Sequence, residues 1–192
     1  MKVVAFNGSP RRAGNTAQAI DMVLAELAAE GIETEVVQLG GTKVFGCLAC
    51  GKCSKNQDNR CARQDDEMNS HIAKIMEADG IIIGSPTYFS NVSSEVKALI
   101  DRCGYVNKAN GGRILKRKVG AAVVSVRRAG SNFVYSAINF FFGLSEMIVP
   151  GSSYWNMTLS RDPGDILKDR EGIQTFQTLG CNMAWLLKKI KE

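Results

Sequence analysis

Four of the six cysteines lie within fifteen residues, in the pattern Cys47-x2-Cys50-x2-Cys53-x7-Cys61. Four thiolates this close in sequence can surround one metal centre, and the two x2 spacings are typical of iron–sulfur or zinc ligation. Free or redox-active thiols are the alternative. Residues 40–66, the cysteine segment, are polar and have no clear period. We therefore expect a long loop, and long loops in compact domains are usually functional.

A second candidate site is the phosphate loop, residues 7–16. An apolar run of strand type ends at Asn7-Gly8-Ser9-Pro10, and from Thr16 the apolar residues recur at helical spacing. A helix start has unpaired N–H groups and partial positive charge, so it favours an anion. Side-chain donors and positive charge are concentrated at the same point, from Ser9, Asn15, Thr16, Arg11 and Arg12.

This loop lacks the marks of two other phosphate sites. A nucleoside triphosphatase loop needs a Lys before its Ser/Thr, but Asn15 holds that place, and the chain has no GxGxxG sequence. A single terminal phosphate therefore fits best. The alternative is a Gly/Pro turn that only begins a helix.

Composition narrows the class of protein. The chain has 192 residues, 45% of them hydrophobic, and a net charge of +5, so it can bury a core as one domain, residues 1–192. Its basic residues are scattered, which argues against a nucleic-acid partner. The sequence has no apolar run long enough for a membrane span and no signal-peptide pattern. We expect a cytoplasmic protein, in which six cysteines favour metal or redox chemistry over disulfides.

Strand and helix patterns alternate along the chain, which predicts an α/β fold with a five-stranded parallel sheet. In such sheets ligands bind beyond the C-terminal strand ends, where three loops of this chain would meet. The predicted strands are residues 3–6, 33–39, 80–85, 118–126 and 147–149. Residues 151–172 look irregular, and residues 173–190 form a closing helix.

Three segments together resemble the flavodoxin-like NAD(P)H-dependent FMN reductase family. They are GSPRRAGNT, GSPTYFSNVSSEVKALIDR and SVRRAG, and the cysteine pattern is similar to that of the iron–sulfur flavoprotein branch. The resemblance covers nearly the whole chain. It implies a three-layer flavodoxin-like sandwich with strand order 2-1-3-4-5 and bound FMN.

The resemblance assigns residues to this cofactor. Ser9, Arg11, Asn15 and Thr16 would hold the FMN phosphate. The isoalloxazine ring would be lined by Pro86, Thr87, Tyr88, Phe89 and Asn91. The third segment supplies Arg127, Arg128 and Gly130, and we expect one of the two arginines to place charge near the pyrimidine end of the ring. Ordinary loop packing is the alternative for Tyr88 and Phe89.

A [4Fe–4S] cluster is the leading interpretation for Cys47, Cys50, Cys53 and Cys61, ahead of zinc and free thiols. Basic neighbours, Lys52, Lys55, Arg60 and Arg63, would offset its negative charge. The pattern departs from the simplest ferredoxin motif, because the last gap is seven residues and no Pro follows Cys61.

Other reactive residues have simpler interpretations. Cys103 and Cys181 are expected in the core. The only histidine, His71, is expected at the surface or an interface. Helix capping explains Asp65, Asp66 and Glu67, and core or oligomer packing explains Phe140–Phe142.

The predicted function is electron transfer through FMN, from NAD(P)H or a carrier such as ferredoxin to a small-molecule or protein acceptor. No side chain need act as an acid or base. The family also implies a homodimer or homotetramer with FMN near a subunit interface. The alternative is a non-enzymatic flavin- or metal-binding protein that senses redox state through its cysteines.

Overall fold

The computed structural model describes residues 1–191. Their strands are β1 (Lys2–Asn7), β2 (Glu33–Gln38), β3 (Gly80–Pro86), β4 (Val119–Val126) and β5 (Met157–Leu159). The α-helices are α1 (Asn15–Ala29), α2 (Lys52–Asn56), α3 (Met68–Glu77), α4 (Ser94–Ala109), α5 (Ser131–Leu144) and α6 (Arg170–Lys191), with a 3-10 helix at Asp165–Lys168.

The strands form one parallel sheet in the order β2-β1-β3-β4-β5. This order confirms the flavodoxin-like expectation. Strand β1 lies between β2 and β3, with Val3 opposite Thr34 on one side and Gly80 on the other. The ends of β1, β3 and β4 therefore lie side by side, and the loops that follow them lie at one edge of the sheet.

Alternate residues of each central strand pack on opposite faces of the sheet, because successive strand side chains point in opposite directions. Val4 and Phe6 belong to the core under α3, α4 and α5, whereas Val3 and Ala5 belong to the core under α1 and α6. Strand β3 divides its three isoleucines in the same way. Burial on both faces explains why these strands read as continuous apolar runs.

The fifth strand differs from the prediction. Residues 147–149 are not a regular strand: Ile148 makes one isolated bridge to Val119, at the start of β4. The chain then passes Pro150, which has no N–H to continue a ladder, and pairs with the end of β4 only at Met157–Leu159. The prediction that residues 151–172 are irregular is therefore wrong for β5 and for the 3-10 helix.

The cysteine segment contains one short helix, α2, which the absence of a period in the sequence did not reveal. Backbone with φ near +51° at Ala49 and +66° at Gly51 precedes it, and Gln57, with φ near +51°, ends it. The two x2 cysteine spacings therefore lie on a sharply turning piece of chain.

Candidate functional site

Hydrogen bonds from the ends of β1 and β2 fix the shape of the phosphate loop. The Asn7 side chain accepts from the Ser9 N–H at 3.1 Å and donates to Gln38 at 2.9 Å. Gln38 donates in turn to the Ser9 carbonyl at 2.7 Å and the Gly40 carbonyl at 2.6 Å. Sequence reasoning missed Gln38, although its position at the end of β2 places it beside β1.

Glycine is required in this loop because backbone and side chains approach it closely. A Cβ atom at Gly8 would lie 2.3 Å from Val96 Cγ2 and 2.6 Å from the Gly84 carbonyl oxygen. Gly8 also donates its N–H to that carbonyl at 2.8 Å. The loop is thereby joined to the end of β3 at backbone level.

The start of α1 is arranged for an anion. Its N-cap residue is Gly14, so no side chain accepts from the first-turn N–H groups, and the first turn contains no acidic residue. Ser9 is buried and its hydroxyl oxygen accepts from the Arg11 N–H at 3.2 Å. Arg11 is exposed at the loop surface. An anion placed here would meet backbone donors and positive charge.

Asn15 uses its side chain on another part of the chain. It donates to the Asp162 carbonyl at 2.9 Å and accepts from the N–H groups of Gly164 at 3.0 Å and Ile166 at 3.4 Å. It thus ties the segment after β5 to the phosphate loop. The Asn15 backbone N–H, at the first position of α1, has no intrahelical acceptor. Its assignment to the phosphate stays a prediction, now through this backbone donor.

Ser125 of β4 connects the loop after β3 to helix α1. The hydroxyls of Thr16 and Ser125 are 2.5 Å apart, and the Thr87 N–H donates to the Ser125 carbonyl at 2.8 Å. The Thr87 hydroxyl oxygen is buried and has no hydrogen-bond partner in the described chain. A buried hydroxyl without a partner is uncommon and is consistent with a bound group that would satisfy it.

The tip of this loop is a tight reverse turn. Tyr88 and Asn91 exchange backbone hydrogen bonds of 3.0 Å, and Phe89 and Ser90 between them have φ of +47° and +60°. Phe89 is fully exposed and Tyr88 is 46% exposed. Phe89 and Ser90 are thus two consecutive non-glycine residues in left-handed backbone, a costly conformation of the kind often found at ligand sites, and the turn presents the aromatic rings of Tyr88 and Phe89 to the outside.

The loop after β4 touches this turn. Gly130 has φ of +93°, and a Cβ atom there would lie 2.6 Å from Ser90 Oγ. The preceding Arg127 and Arg128 are exposed, and Arg127 lines an open cavity of about 460 Å³ that Arg161 and Lys168 also line. The predicted convergence of three loops at the C-terminal edge of the sheet is therefore present.

The four clustered cysteines line a second cavity, of about 380 Å³, beside α4. Cys47 and Cys50 are exposed, Cys53 and Cys61 are half-buried, and all four are free thiols. Within residues 1–191, no group of three or more His, Cys, Asp or Glu side chains converges as a site for one metal ion. The thiols share a cavity but are not gathered around one point.

Arg102 of α4, which sequence reasoning missed, organises this cavity. It is 1% exposed, and its Nε donates to the Cys61 sulfur at 3.3 Å. Nη1 donates to the Phe45 carbonyl at 3.0 Å, and Nη2 to the Arg63 carbonyl at 3.2 Å. A signal was present in the sequence, because Arg102 lies three residues after Leu99 on the apolar stripe of the helix.

Asp66 completes the arrangement with a buried ion pair to Arg102. Burial opposes ionisation of Asp66, but hydrogen bonds from Arg102 and from the N–H groups of Phe45 and Met68 outweigh it and hold the pKa of Asp66 below its ordinary value. Asp66 does cap α3, as expected, through the Met68 N–H at 3.2 Å. Its pairing with α4 was not expected.

Two expectations for the remaining reactive residues are wrong. His71 is 3% exposed rather than at the surface, and its ring lies 5.9 Å from that of Phe6 in an edge-on arrangement. Neither ring nitrogen has a partner in the described residues, and burial lowers the pKa of His71. Cys181 is exposed, with its sulfur 3.5 Å from a Glu26 oxygen, because it lies on the outer side of α6.

Other expectations hold. Cys103 is fully buried, which raises the pKa of its thiol to about 12. Phe141 and Phe142 are buried in the core, and Phe140 on the same helix is 75% exposed. The capping expectation, in contrast, is wrong for Asp65, which pairs with Arg63 at the surface at 2.7 Å, and for Glu67, whose side chain makes no capping hydrogen bond at the start of α3.

Comparison with known proteins agrees with this geometry. The family model for NADPH-dependent FMN reductase matches residues 1–162. The chain belongs to this family. It is an FMN-binding oxidoreductase of flavodoxin-like fold. The helix start without a side-chain cap and the unpartnered Thr87 hydroxyl both fit that cofactor.

Individual relatives support the same assignment. The chain is 36% identical to an iron–sulfur flavoprotein of Methanocaldococcus jannaschii over 199 residues, which covers 100% of both chains. It also superposes on RosB, solved with 8-demethyl-8-formylriboflavin-5'-phosphate, with a TM-score of 0.71 and 21% identity over 100% of this chain and 80% of RosB. A flavodoxin from the domain Archaea gives a TM-score of 0.63 with 16% identity, covering 98% and 99% of the two chains. The two structural matches concern the fold.

None of the helices in residues 1–191 is long and apolar enough to cross a membrane.

Proposed function

We propose that this protein moves electrons from NAD(P)H, or from a carrier such as ferredoxin, through bound FMN to a small-molecule or protein acceptor. In the same proposal, Cys47, Cys50, Cys53 and Cys61 hold a [4Fe–4S] cluster. FMN supplies hydride and single-electron chemistry when bound, and a cluster would supply single-electron transfer. The side chains bind, orient and tune these groups.

The FMN part rests on the three-loop geometry. Ser9, Arg11 and the first-turn N–H groups of α1 would hold the phosphate, and Thr87 would donate its unpartnered hydroxyl to the flavin. Tyr88 and Phe89 would form one side of the ring site. A flat apolar slot with a few polar groups is what an isoalloxazine ring requires.

One observation carries the cluster part: all four clustered cysteines line a single cavity whose wall contains a buried guanidinium bonded to Cys61. A positive charge and an N–H group at the sulfur would offset the negative charge of a thiolate-bound cluster. The relative from Methanocaldococcus jannaschii carries the name iron–sulfur flavoprotein, which favours a cluster over zinc in this proposal.

We also propose a homodimer or homotetramer with FMN near an interface. Large apolar side chains are exposed near the loops at the C-terminal edge of the sheet or on the outer faces of helices. They are Phe89, Phe133, Phe140, Leu144 and Trp155. Exposed patches of this kind commonly mark interaction surfaces. Light scattering with and without FMN would measure the assembly, and a monomer in both states would contradict it.

The decisive experiment is anaerobic purification followed by flavin, iron, acid-labile sulfide and zinc analysis with an absorption spectrum. We expect FMN with about four iron and four sulfide per chain. FMN without iron after reconstitution would identify the protein as a flavin reductase without a cluster. One equivalent of zinc per chain would identify the four cysteines as a zinc site.

Turnover is tested separately. The holoprotein is mixed anaerobically with NADH, NADPH or reduced ferredoxin, and flavin absorbance is followed. Reduction by at least one donor, with repeated turnover when an acceptor is added, is expected. Bound FMN that none of them reduces would contradict the oxidoreductase proposal and favour a redox sensor.

A further inference from the structure

Arg102 is unusual within its own helix. The buried face of α4 is otherwise formed by Val96, Ala98, Leu99, Cys103, Val106 and Asn107, and Arg102 is the one charged residue on it. Among the fully buried side chains of the described residues, it is also the largest. A buried charge is expensive, so a side chain of this kind usually has a specific task.

The donors of Arg102 reach two distant points of the chain. Nη1 donates to the Phe45 carbonyl, at the entry to the cysteine segment, whereas Nη2 donates to the Arg63 carbonyl, near its exit. Asp66 joins the same two points, because it pairs with Arg102 and accepts from the Phe45 N–H at 2.9 Å. The loop between these points carries all four cysteines. One buried ion pair therefore closes this loop.

Cys61 is the cysteine that this pair fixes directly. Its sulfur accepts from Arg102 Nε, its N–H donates to Asn69 Oδ1 at 2.8 Å, and its carbonyl accepts from Asn69 Nδ2 at 2.9 Å. Cys47 and Cys50, in contrast, are exposed at the turn that precedes α2. The Cys61 thiol is therefore set in place by a distant side chain, whereas those of Cys47 and Cys50 are open to solvent.

We propose that Arg102 is a positioning residue for the cysteine site: through Phe45, Arg63 and Cys61 it holds the closed loop ready for a metal centre, and it favours the reduced state of that centre. The second half rests on the proposed cluster, while the first concerns the polypeptide alone. Hydrogen bonds to cluster sulfurs are among the properties that set reduction potentials, and Arg102 Nε donates such a bond to Cys61.

Three variants isolate this role. The Arg102→Gln/Asp66→Asn double variant removes the guanidinium without leaving a buried unpaired charge, so it keeps the fold testable. Arg102→Lys keeps the charge but replaces the planar fork by one ammonium group, which cannot reach all of these acceptors at once. Lys108→Gln is the matched control, because it removes an exposed cation from the same helix and does not line the cysteine cavity.

Each variant is reconstituted anaerobically, and iron, sulfide, FMN and the midpoint potential of the centre are measured. We expect the double variant to bind FMN normally but to lose iron at least about fivefold, which corresponds to roughly 1 kcal/mol for one hydrogen bond, or to show a more negative midpoint. Arg102→Lys should recover part of the shift in midpoint potential, and Lys108→Gln should match the native protein. Native iron content together with a native midpoint in the double variant would overturn the proposal.

Hydrogen exchange of the metal-free chains separates failure of this proposal from failure of the cluster. In the double variant, amides of residues 43–48 and 60–66 should exchange at least about fivefold faster, which again corresponds to roughly 1 kcal/mol, whereas those of residues 8–16 should be unchanged. If the native protein takes up no iron, this result still supports Arg102 as the closing residue. Unchanged exchange would overturn it.

Discussion

The phosphate loop and the cysteine segment are both irregular chain that follows a strand, but they are held in place in different ways. The phosphate loop is short, and glycines and backbone hydrogen bonds bring it into contact with neighbouring strands, as between Gly8 and Gly84. The cysteine segment is long and largely exposed, and one buried ion pair, Arg102 with Asp66, closes it. The first site is held mainly by several contacts with neighbouring strands, whereas the second depends on one buried side chain of α4.

This difference bears on what each site can bind. Backbone donors at a helix start have fixed positions and suit a ligand of fixed shape, such as a phosphate. A segment that is held by one buried ion pair and has two exposed thiols leaves those thiols accessible to an incoming metal centre. Variants of each region can test whether backbone contacts hold the phosphate loop and whether the buried ion pair holds the cysteine segment.

The largest effect is expected at Asp66. Asp66→Ala leaves the Arg102 charge buried without its partner, which should cost about 3–5 kcal/mol of unfolding free energy. Asp65→Ala removes the exposed ion pair with Arg63 and should lower the free energy of unfolding far less, because solvent screens that pair. Urea unfolding of the metal-free proteins measures both. Equal losses would show that the buried pair is not what supports the cysteine segment.

The same substitution in the two regions should have different effects. Gly8→Ala places a Cβ against Val96 and the Gly84 carbonyl, so we expect about 1–3 kcal/mol of destabilisation and weaker FMN binding. Gly46→Ala meets no atom within 4 Å and should change neither property appreciably. Thermal unfolding and FMN titration by fluorescence provide the measurements. A tolerated Gly8→Ala would contradict the close approach.

A smaller effect is expected from the exposed arginines after β4. If Arg127 or Arg128 lies near the pyrimidine end of the ring, its replacement by Gln should make the flavin potential more negative. The expected shift is on the order of 30 mV, which corresponds to roughly 1.4 kcal/mol for two electrons. Spectroelectrochemical titration measures it, with Lys97→Gln as a control on the exposed face of α4. Unchanged potentials in both variants would remove the arginines from the flavin site.

The smallest effect is a pH dependence from His71. Burial lowers the pKa of His71 below its ordinary 6.5, so the unfolded chain takes up a proton more readily than the folded one. The contribution of the neutral His71 ring to the free energy of unfolding is therefore present above pH 6.5. It is lost as the pH falls toward the pKa of His71 in the folded state. His71→Leu should flatten the fall in melting temperature between about pH 7 and pH 5. The same slope in the variant would assign the acid sensitivity to other groups.

Most of the central sheet could be predicted because the information is local. The apolar run Gly80–Ser85 and the periodic residues Ile20, Val23 and Leu24 specify a strand and a helix without reference to the rest of the chain. The fifth strand could not be predicted, because β5 has only three residues. Its position depends on pairing with the open edge of β4 at the end of that strand. The apolar residues 147–149 looked more like a strand, and tertiary context overrode them.

Side-chain partners were predicted less well than elements. The pattern of α4 marks position 102 as buried, but nothing nearby in sequence identifies Asp66 and Cys61 as its partners. The expectations for His71 and Cys181 were wrong for a related reason. Whether a helical position faces core or solvent depends on which neighbour packs against it, and the single histidine gave no pattern of its own.

The sequence by itself determined the first four strands and the longer helices, the phosphate loop and the set of four cysteines, because propensity, period and spacing are properties of neighbouring residues. Only the tertiary structure decided that Asn15 uses its side chain on residues 162–166, that His71 is buried and that Arg102 bonds Cys61. These outcomes depend on contacts between segments up to about 150 residues apart, as between Asn15 and Ile166. Such contacts form only when the whole sheet is assembled, and they determine how each functional residue is held.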